Sequence, residues 1–328
     1  MRSVCIIGGS RYFGLHLVSL FRDAGVAVTL VNRGSAAPPP GVDHVRADRS
    51  DEAALTAALR GRTFDAVVDQ VLYTPLQAAV ACRVFADRTP RYVMTSTMEV
   101  YDPATSPLVP ASDGPVTEGF VDPAAWSVDL DLPWHDPQAL ARHFDAATGY
   151  AEGKRQAEAV LARSAPFSWA SVRSAHVLGG GDRDFTGRLA HYVERIAAGR
   201  PVAVHRGARP TSFVHHREIA TVLARAAVTD ADGPLNACSH GALDAARLSG
   251  LIAERLGTTA RFRTAEGGDA SPFSFDRSYA MDNGRAAALG FPLSRTADWL
   301  PAAIDEAAGA AKAATAGAAK AATAGRAV

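Results

Sequence analysis

Ser3-Val4-Cys5-Ile6-Ile7-Gly8-Gly9-Ser10-Arg11-Tyr12-Phe13-Gly14 decides the fold of this 328-residue chain. A short apolar run stops at a glycine pair, and from Phe13 apolar residues recur at helical spacing. The stretch therefore reads as a strand, a tight turn and a helix start. Glycines at such a turn let the backbone approach a pyrophosphate at the helix N-terminus. In the common three-glycine pattern the middle glycine falls at Arg11, whose side chain must point outward and whose cation can reach a phosphate. A glycine-rich turn alone is weak evidence. Its place at the head of a strand-alternating chain is what points to a dinucleotide.

The alternation continues outward. Residues 3–7, 27–32, 64–69 and 91–96 are predicted as buried strands, with helices over 13–24, 51–59 and 76–86 between them. This pattern predicts an α/β, Rossmann-type doubly wound parallel sheet. Residues 102–137 are rich in Pro, Asp, Gly and Ser without sustained period, a length that signals function or mobility. A helix follows, then a strand over 169–174, then a more broken pattern with helices near 186–198, 218–228 and 242–256. The expected organisation is a dinucleotide-binding domain over 1–175, with 213–237 returning to it. A smaller substrate-binding lobe is expected over 176–212 and 238–308. From 309 to 328 the chain repeats Gly-Ala-Ala-Lys-Ala-Ala-Thr-Ala and reads as a frayed or disordered tail, since it has a glycine every eight residues and no apolar face.

Composition narrows the function classes. Basic and acidic side chains balance at 34 each, which gives no footprint for nucleic acid or an anionic membrane. No apolar run reaches bilayer length, and the Val4–Ile7 run is too short for a secretory signal. Cys5, Cys82 and Cys238 are scattered in apolar surroundings without metal-ligand spacing, and read as reduced core thiols of a cytoplasmic protein. His215 and His216 are adjacent; on a strand they face opposite sides and cannot jointly hold a metal, and no metal site is expected.

Tyr150-Ala151-Glu152-Gly153-Lys154 places a phenol and an amine about one helical turn apart. A free phenol, with a pKa near ~10, is a poor acid or base at neutral pH, and a neighbouring ammonium favours its phenolate. The second predicted strand ends Val31-Asn32-Arg33-Gly34. NAD sites usually carry a carboxylate there, whereas an arginine suits the 2′-phosphate of NADP. Asn32 and Arg33 therefore favour NADP(H), with NAD(H) the alternative. Asp48 stands where a third strand would end, placed to accept from an adenine amino group or to serve as a turn residue.

Together the glycine turn, Thr95-Ser96-Thr97-Met98-Glu99-Val100-Tyr101, Tyr150 to Lys154, and Phe213-Val214-His215 leading into Glu218-Ile219-Ala220 resemble the extended short-chain dehydrogenase/reductase superfamily. The resemblance is to its NAD-dependent epimerase/dehydratase family, in an atypical branch that includes members adapted to bind RNA. It implies that Tyr150 is the acid/base, Lys154 its helper and a ligand of the nicotinamide ribose, and Thr97 the residue that aligns the substrate oxygen. Glu99 matches a carboxylate that assists proton removal in related enzymes, or binds substrate, while Met98 replaces the acid of the dehydratases. Cofactor contacts are implied for Gly8, Gly9, Ser10, Arg11, Tyr12, Phe13, Gly14, Asn32, Arg33, Asp48, Arg49, Gln70, Val71 and Ser174. Tyr101, His176 and Arg209 join Glu99 as implied substrate contacts. The expected activity is that of an oxidoreductase or epimerase, with hydride exchange at a secondary alcohol or ketone of a sugar, sugar nucleotide or related metabolite. A homodimer is a common arrangement in the superfamily. The alternative is a cofactor-sensing or RNA-binding protein that keeps the fold without catalysis.

Overall fold

The computed structural model describes residues 1–266 and 268–324. Eleven strands occur among them: β1 (Ser3–Ile7), β2 (Ala27–Asn32), β3 (Asp43–Arg46), β4 (Ala66–Asp69), β5 (Arg91–Thr97), β6 (Ser168–Ser174), β7 (His176–Leu178), β8 (Val202–Val204), β9 (Phe213–His215), β10 (Gly233–Ala237) and β11 (Phe262–Thr264). The helices are α1 (Phe13–Asp23), α2 (Glu52–Ala58), α3 (Pro75–Phe85), α4 (Pro137–Leu140), α5 (Ala146–Ser164), α6 (Arg188–Ala197), α7 (His216–Ala226), α8 (Ala245–Arg255), α9 (Gly284–Ala288) and α10 (Thr296–Ala324).

The chain divides into two compact units. The first comprises Met1–Ala175, Arg217–Cys238 and Met281–Leu293. Its seven strands form a sheet in the order β10-β6-β5-β4-β1-β2-β3, with every pairing parallel. The chain runs outward from β1 through β2 to β3, then returns to β1's other side to lay down β4, β5, β6 and β10. The order therefore reverses between β1 and β4, the crevice where open α/β sheets bind ligands. On one face, alternate residues Cys5 and Ile7, Val67, and Tyr92 and Met94 pack against Leu55 of α2, Ala81 and Phe85 of α3, and Ala157 and Leu161 of α5. Each large apolar side chain so buried contributes about 1.5–3 kcal/mol before the entropy of ordering it is counted.

Met281–Leu293, placed by the sequence reading in the second lobe, belongs to this first unit. Polar ties hold it there: Asn236 Nδ2 donates to the Asp282 carbonyl at 2.9 Å, and Arg285 reaches the Asp232 carbonyl at 2.6 Å. The 102–137 segment is held as firmly. Arg173 donates to the carbonyls of Glu118 and Val121 at 2.9 Å each, and Trp126 Nε1 donates to Glu152 at 2.9 Å.

The second unit comprises His176–His216, Ser239–Ala280 and Ser294–Val328. It holds the two-stranded pairs β7–β9 and β8–β11, both parallel. Its core gathers Leu189, Val193 and Ile196 of α6, Leu248 and Ile252 of α8, and Leu300, Ala303 and Ile304 of α10. The alanine-rich repeat, expected to fray from 309, is helical through Ala324 as the continuation of α10. Alanine and lysine are strong enough helix formers to carry a helix already begun by packed residues past isolated glycines. Residues 325–328 lie outside the described residues. Among the described residues no helix is long and apolar enough to cross a membrane.

Candidate active site

The turn after β1 meets the geometry of a phosphate cradle. Gly8 and Gly9 have φ of 91° and 79°, the left-handed region open to glycine. A Cβ on Gly14 would sit 2.5 Å from Gln70 Oε1 and 2.6 Å from Gly9 Cα, so the start of α1 packs on the turn only without a side chain. Beside the turn opens a cavity of about 460 Å³, within the first unit. Its walls include Gly8, Ser10 and Arg11, then Asn32, Arg33, Asp48 and Arg49, and Val71, Tyr73 and Gln77. Size, glycine turn and position at the switch point fit a dinucleotide. So does a pair of buried amide nitrogens without hydrogen-bond partners, Asn32 Nδ2 and Gln70 Nε2.

Not every residue singled out from sequence faces that cavity with free chemistry. Asn32 Oδ1 accepts from Gly34 N at 2.7 Å and lies 3.0 Å from His44 Nε2, which shapes the turn that presents exposed Arg33. Arg46, which no motif singles out, lies over that turn, with Nη2 3.4 Å from the Gly34 carbonyl. Asp48 Oδ1 accepts from Ser50 N at 2.9 Å and serves the turn. Arg49 reaches inward to Asp69 at 2.5 Å, and Tyr92 donates to the same carboxylate at 2.6 Å. Ser174 donates to the carbonyl of Ala175 at 2.9 Å.

Helix α5 is capped by Asp145, whose carboxylate accepts from Thr148 N, and carries Tyr150 and Lys154 on one face. Tyr150 is 40% exposed while Lys154 is 2% exposed. Lys154 Nζ donates to the carbonyls of Leu72 and Thr95 at 2.7 Å each, tying α5 to the ends of β4 and β5. Its ammonium lies 4.5 Å from the Tyr73 ring centroid and 5.9 Å from that of Tyr150. Burial lowers its pKa to about 7, with Asp69 and Glu158 favouring the charge and Arg49 opposing it. Two of its three donors are spent on backbone, which leaves one for a ligand.

Thr97 ends β5 and caps the turn that follows, its Oγ1 accepting from Glu99 N at 3.2 Å. Met98 is fully buried, and Glu99 is half-buried. Tyr101, expected to touch substrate, is instead a tie within the first unit: its hydroxyl donates to Asn236 Oδ1 at 2.7 Å and accepts from Arg173 at 2.8 Å. Burial pushes that phenol up to about 12. Arg173 is itself paired with Glu158 at 2.5 Å, both completely buried.

In the second unit His176 is buried against Phe213, Phe273, Phe275 and Tyr279, with ring centroids 4.9–6.0 Å away. Burial first, and then Arg188, whose Nη1 lies 3.2 Å from His176 Nδ1, hold its pKa well below the usual imidazole range. Phe273 adopts φ 67°, an uncommon conformation for a bulky side chain. Arg209 is exposed, and its backbone N donates to the Phe275 carbonyl at 2.8 Å. His215 and His216 do not share a strand. The first ends β9 and the second begins α7, and their rings meet edge to face at 4.5 Å. The aromatic cluster and Tyr73 escaped the sequence reading because no local spacing joins residues that only the fold assembles.

No protein-family model matches the chain. A 142-residue stretch, 42% of the chain, is 30% identical to 2′-dehydrokanamycin reductase of Streptomyces kanamyceticus. The chain spans only 40% of that relative's length. Solved structures match over nearly the whole chain. The Bordetella bronchiseptica enzyme WbmH in complex with NAD+ is 19% identical with a TM-score of 0.67, covering 94% of this chain and 98% of that one. UDP-glucose 4-epimerase of Thermotoga maritima with UDP-glucose is 15% identical with a TM-score of 0.69, covering 95% and 99%. A dTDP-glucose 4,6-dehydratase of Streptomyces venezuelae with NAD bound is 18% identical with a TM-score of 0.67, covering 93% and 96%. The chain shares with these epimerase and dehydratase structures a Rossmann-type fold built on a seven-stranded parallel sheet.

Proposed function

We propose that this chain is an NADP(H)- or NAD(H)-dependent oxidoreductase or epimerase acting at a secondary alcohol or ketone of a sugar, sugar nucleotide or related polar metabolite. The observation that carries the proposal is the buried Lys154 amine beside half-exposed Tyr150, next to Tyr73 in the wall of a dinucleotide-sized cavity. Gly8, Gly9, Ser10 and Arg11 would hold the pyrophosphate, and Arg33 the adenosine end, where its planar cation suits a 2′-phosphate. A nicotinamide held there supplies two-electron exchange at a substrate carbon. Tyr150 passes a proton to the oxygen on that carbon, or takes one from it. The ammonium form of Lys154 stabilises the phenolate left behind, and Thr97 aligns the same oxygen through its hydroxyl.

Met98 supplies no proton at the position where the dehydratases carry an acid, which favours a reductase or an epimerase over elimination. In an epimerase, Glu99 would be the group that assists proton removal. The UDP-glucose of the Thermotoga maritima structure, the dTDP-glucose dehydratase match and the reductase match support the substrate class. The test is Tyr150→Phe, assayed for turnover with sugar nucleotides and keto-sugars and for dinucleotide affinity by fluorescence titration. Turnover should fall by two orders of magnitude or more while affinity stays nearly intact. Near-normal turnover overturns the assignment. The redox state of the dinucleotide that copurifies separates the two cycles, since an epimerase retains its cofactor and a reductase exchanges it.

A further inference from the structure

Tyr73 follows β4 at the switch point, and its main chain is pinned on every side. Its N–H donates to Gln77 Oε1 at 2.7 Å, and the preceding carbonyl, of Leu72, accepts from Lys154. Its own carbonyl presses on Gly153 of α5, where a Cβ would stand 2.4 Å from the oxygen. Gly153 is thus the residue that lets this segment approach the helix. The ring so placed lies 4.5 Å from Lys154 Nζ and 6.2 Å from the Tyr150 ring, tilted by 48°, and it lines the dinucleotide cavity.

Asp69 and Glu158 favour the ammonium of Lys154, but neither carboxylate is its own partner. Asp69 from β4 is bound by Arg49 and Tyr92, and Glu158 from α5 is bound by Arg173. Each nearby carboxylate is already matched by a closer cation, and Arg49 opposes the charge on Lys154. Besides the Leu72 and Thr95 carbonyls that accept from it, the electron-rich group in contact with the ammonium is the face of Tyr73. An aromatic face holds a desolvated cation more strongly than an exposed one.

We propose that Tyr73 is a positioning residue whose ring face holds Lys154 as an ammonium beside Tyr150, and so extends the pH range over which the Tyr150 phenolate is supported. The proposal rests on the reading of Tyr150 as the acid/base. A hydroxyl is not needed for it, but an aromatic face is.

The chain has three lysines, Lys154, Lys312 and Lys320, so isotope-labelled lysine gives a sparse spectrum in which the Lys154 signal is assigned by its loss in Lys154→Met. Its titration is then followed by NMR in the full chain. Tyr73→Leu, which keeps bulk but removes the face, should lower the Lys154 midpoint by about half to one pH unit. Tyr73→Phe should leave it in place, and Tyr73→Trp should raise it. In kinetics, Tyr73→Leu should lower kcat at neutral pH, and Tyr73→Phe should restore it. Equal shifts in the Leu and Phe variants, or none in Leu, overturn the proposal. If the Leu variant fails to fold, the Phe and Trp pair decides. The NMR midpoint needs no turnover, so failure of the catalytic reading, seen as an active Tyr150→Phe enzyme, is distinguishable from failure of the role of Tyr73.

Discussion

Replacing Lys154 with methionine should change the pH dependence of stability by an amount that follows from burial. The folded amine titrates at about 7, against 10.5 for the unburied group. Between those values the unfolded chain holds a proton that the folded chain has released, so stability rises with pH across that window. Each pH unit well inside the window is worth up to ~1.4 kcal/mol, and at about pH 7 the folded lysine is half protonated, so the rise between about pH 7 and about pH 9 comes to roughly 2 kcal/mol. Lys154→Met lacks this term. It also loses the hydrogen bonds to the Leu72 and Thr95 carbonyls, but that loss is a nearly constant offset. Groups common to both proteins cancel in the difference. Urea denaturation of both proteins at the two pH values should therefore show wild type gaining about 2 kcal/mol on the variant as pH rises. A gap that stays constant would mean Lys154 remains fully charged in the folded protein throughout, and would refute the reasoning from desolvation.

Arg33→Ala should weaken NADP(H) binding more than NAD(H) binding, by roughly tenfold in the ratio if one charge-assisted contact to the 2′-phosphate is lost; equal losses in a titration with both dinucleotides remove the reason for preferring the phosphorylated form. Glu158→Gln leaves Arg173 buried without its carboxylate and should cost about 3–5 kcal/mol in urea-measured stability. A loss below about 1 kcal/mol would show that the remaining acceptors, Tyr101 and the carbonyls of Glu118 and Val121, suffice.

β1, β2, β4, β5 and β6 were legible because they are largely buried, and parallel buried strands announce themselves as β-branched runs. β3, with Asp43 and Arg46 exposed, and β10 carry no such run. β1 and β2 begin and end where the apolar runs do. The glycine turn was legible for the same kind of local reason, since left-handed φ and close approach each demand glycine. What was not legible depends on distant partners. Arg49, beside Asp48, reads as a cofactor contact and does line the cavity, but only the fold shows that Asp69 and Tyr92 lie against its Nη2. Tyr101 reads as a site residue because it ends a site motif, yet Arg173 and Asn236 take its hydroxyl. His215 and His216 look like neighbours on a strand, but a helix begins between them and turns their rings together. Met281–Leu293 carries no sign of which unit it joins, because the carbonyls of Asp232 and Pro234 that Arg285 reaches are distant in sequence.

Arg155, one residue past Lys154, has a consequence for how the site works. Its guanidinium donates to the carbonyls of Val100, Glu99 and Asp102 and to Thr105 Oγ1, at 2.7–3.3 Å. It thereby fastens the helix bearing Tyr150 to the turn that follows Thr97 and carries Glu99. Lys154 fastens that helix to β5 from the other side. On the proposed function, the groups that handle the proton and the turn beside Thr97 are consequently held as one piece before any ligand arrives. The entropy of bringing them together is met once, when the chain folds, and does not recur in each turnover.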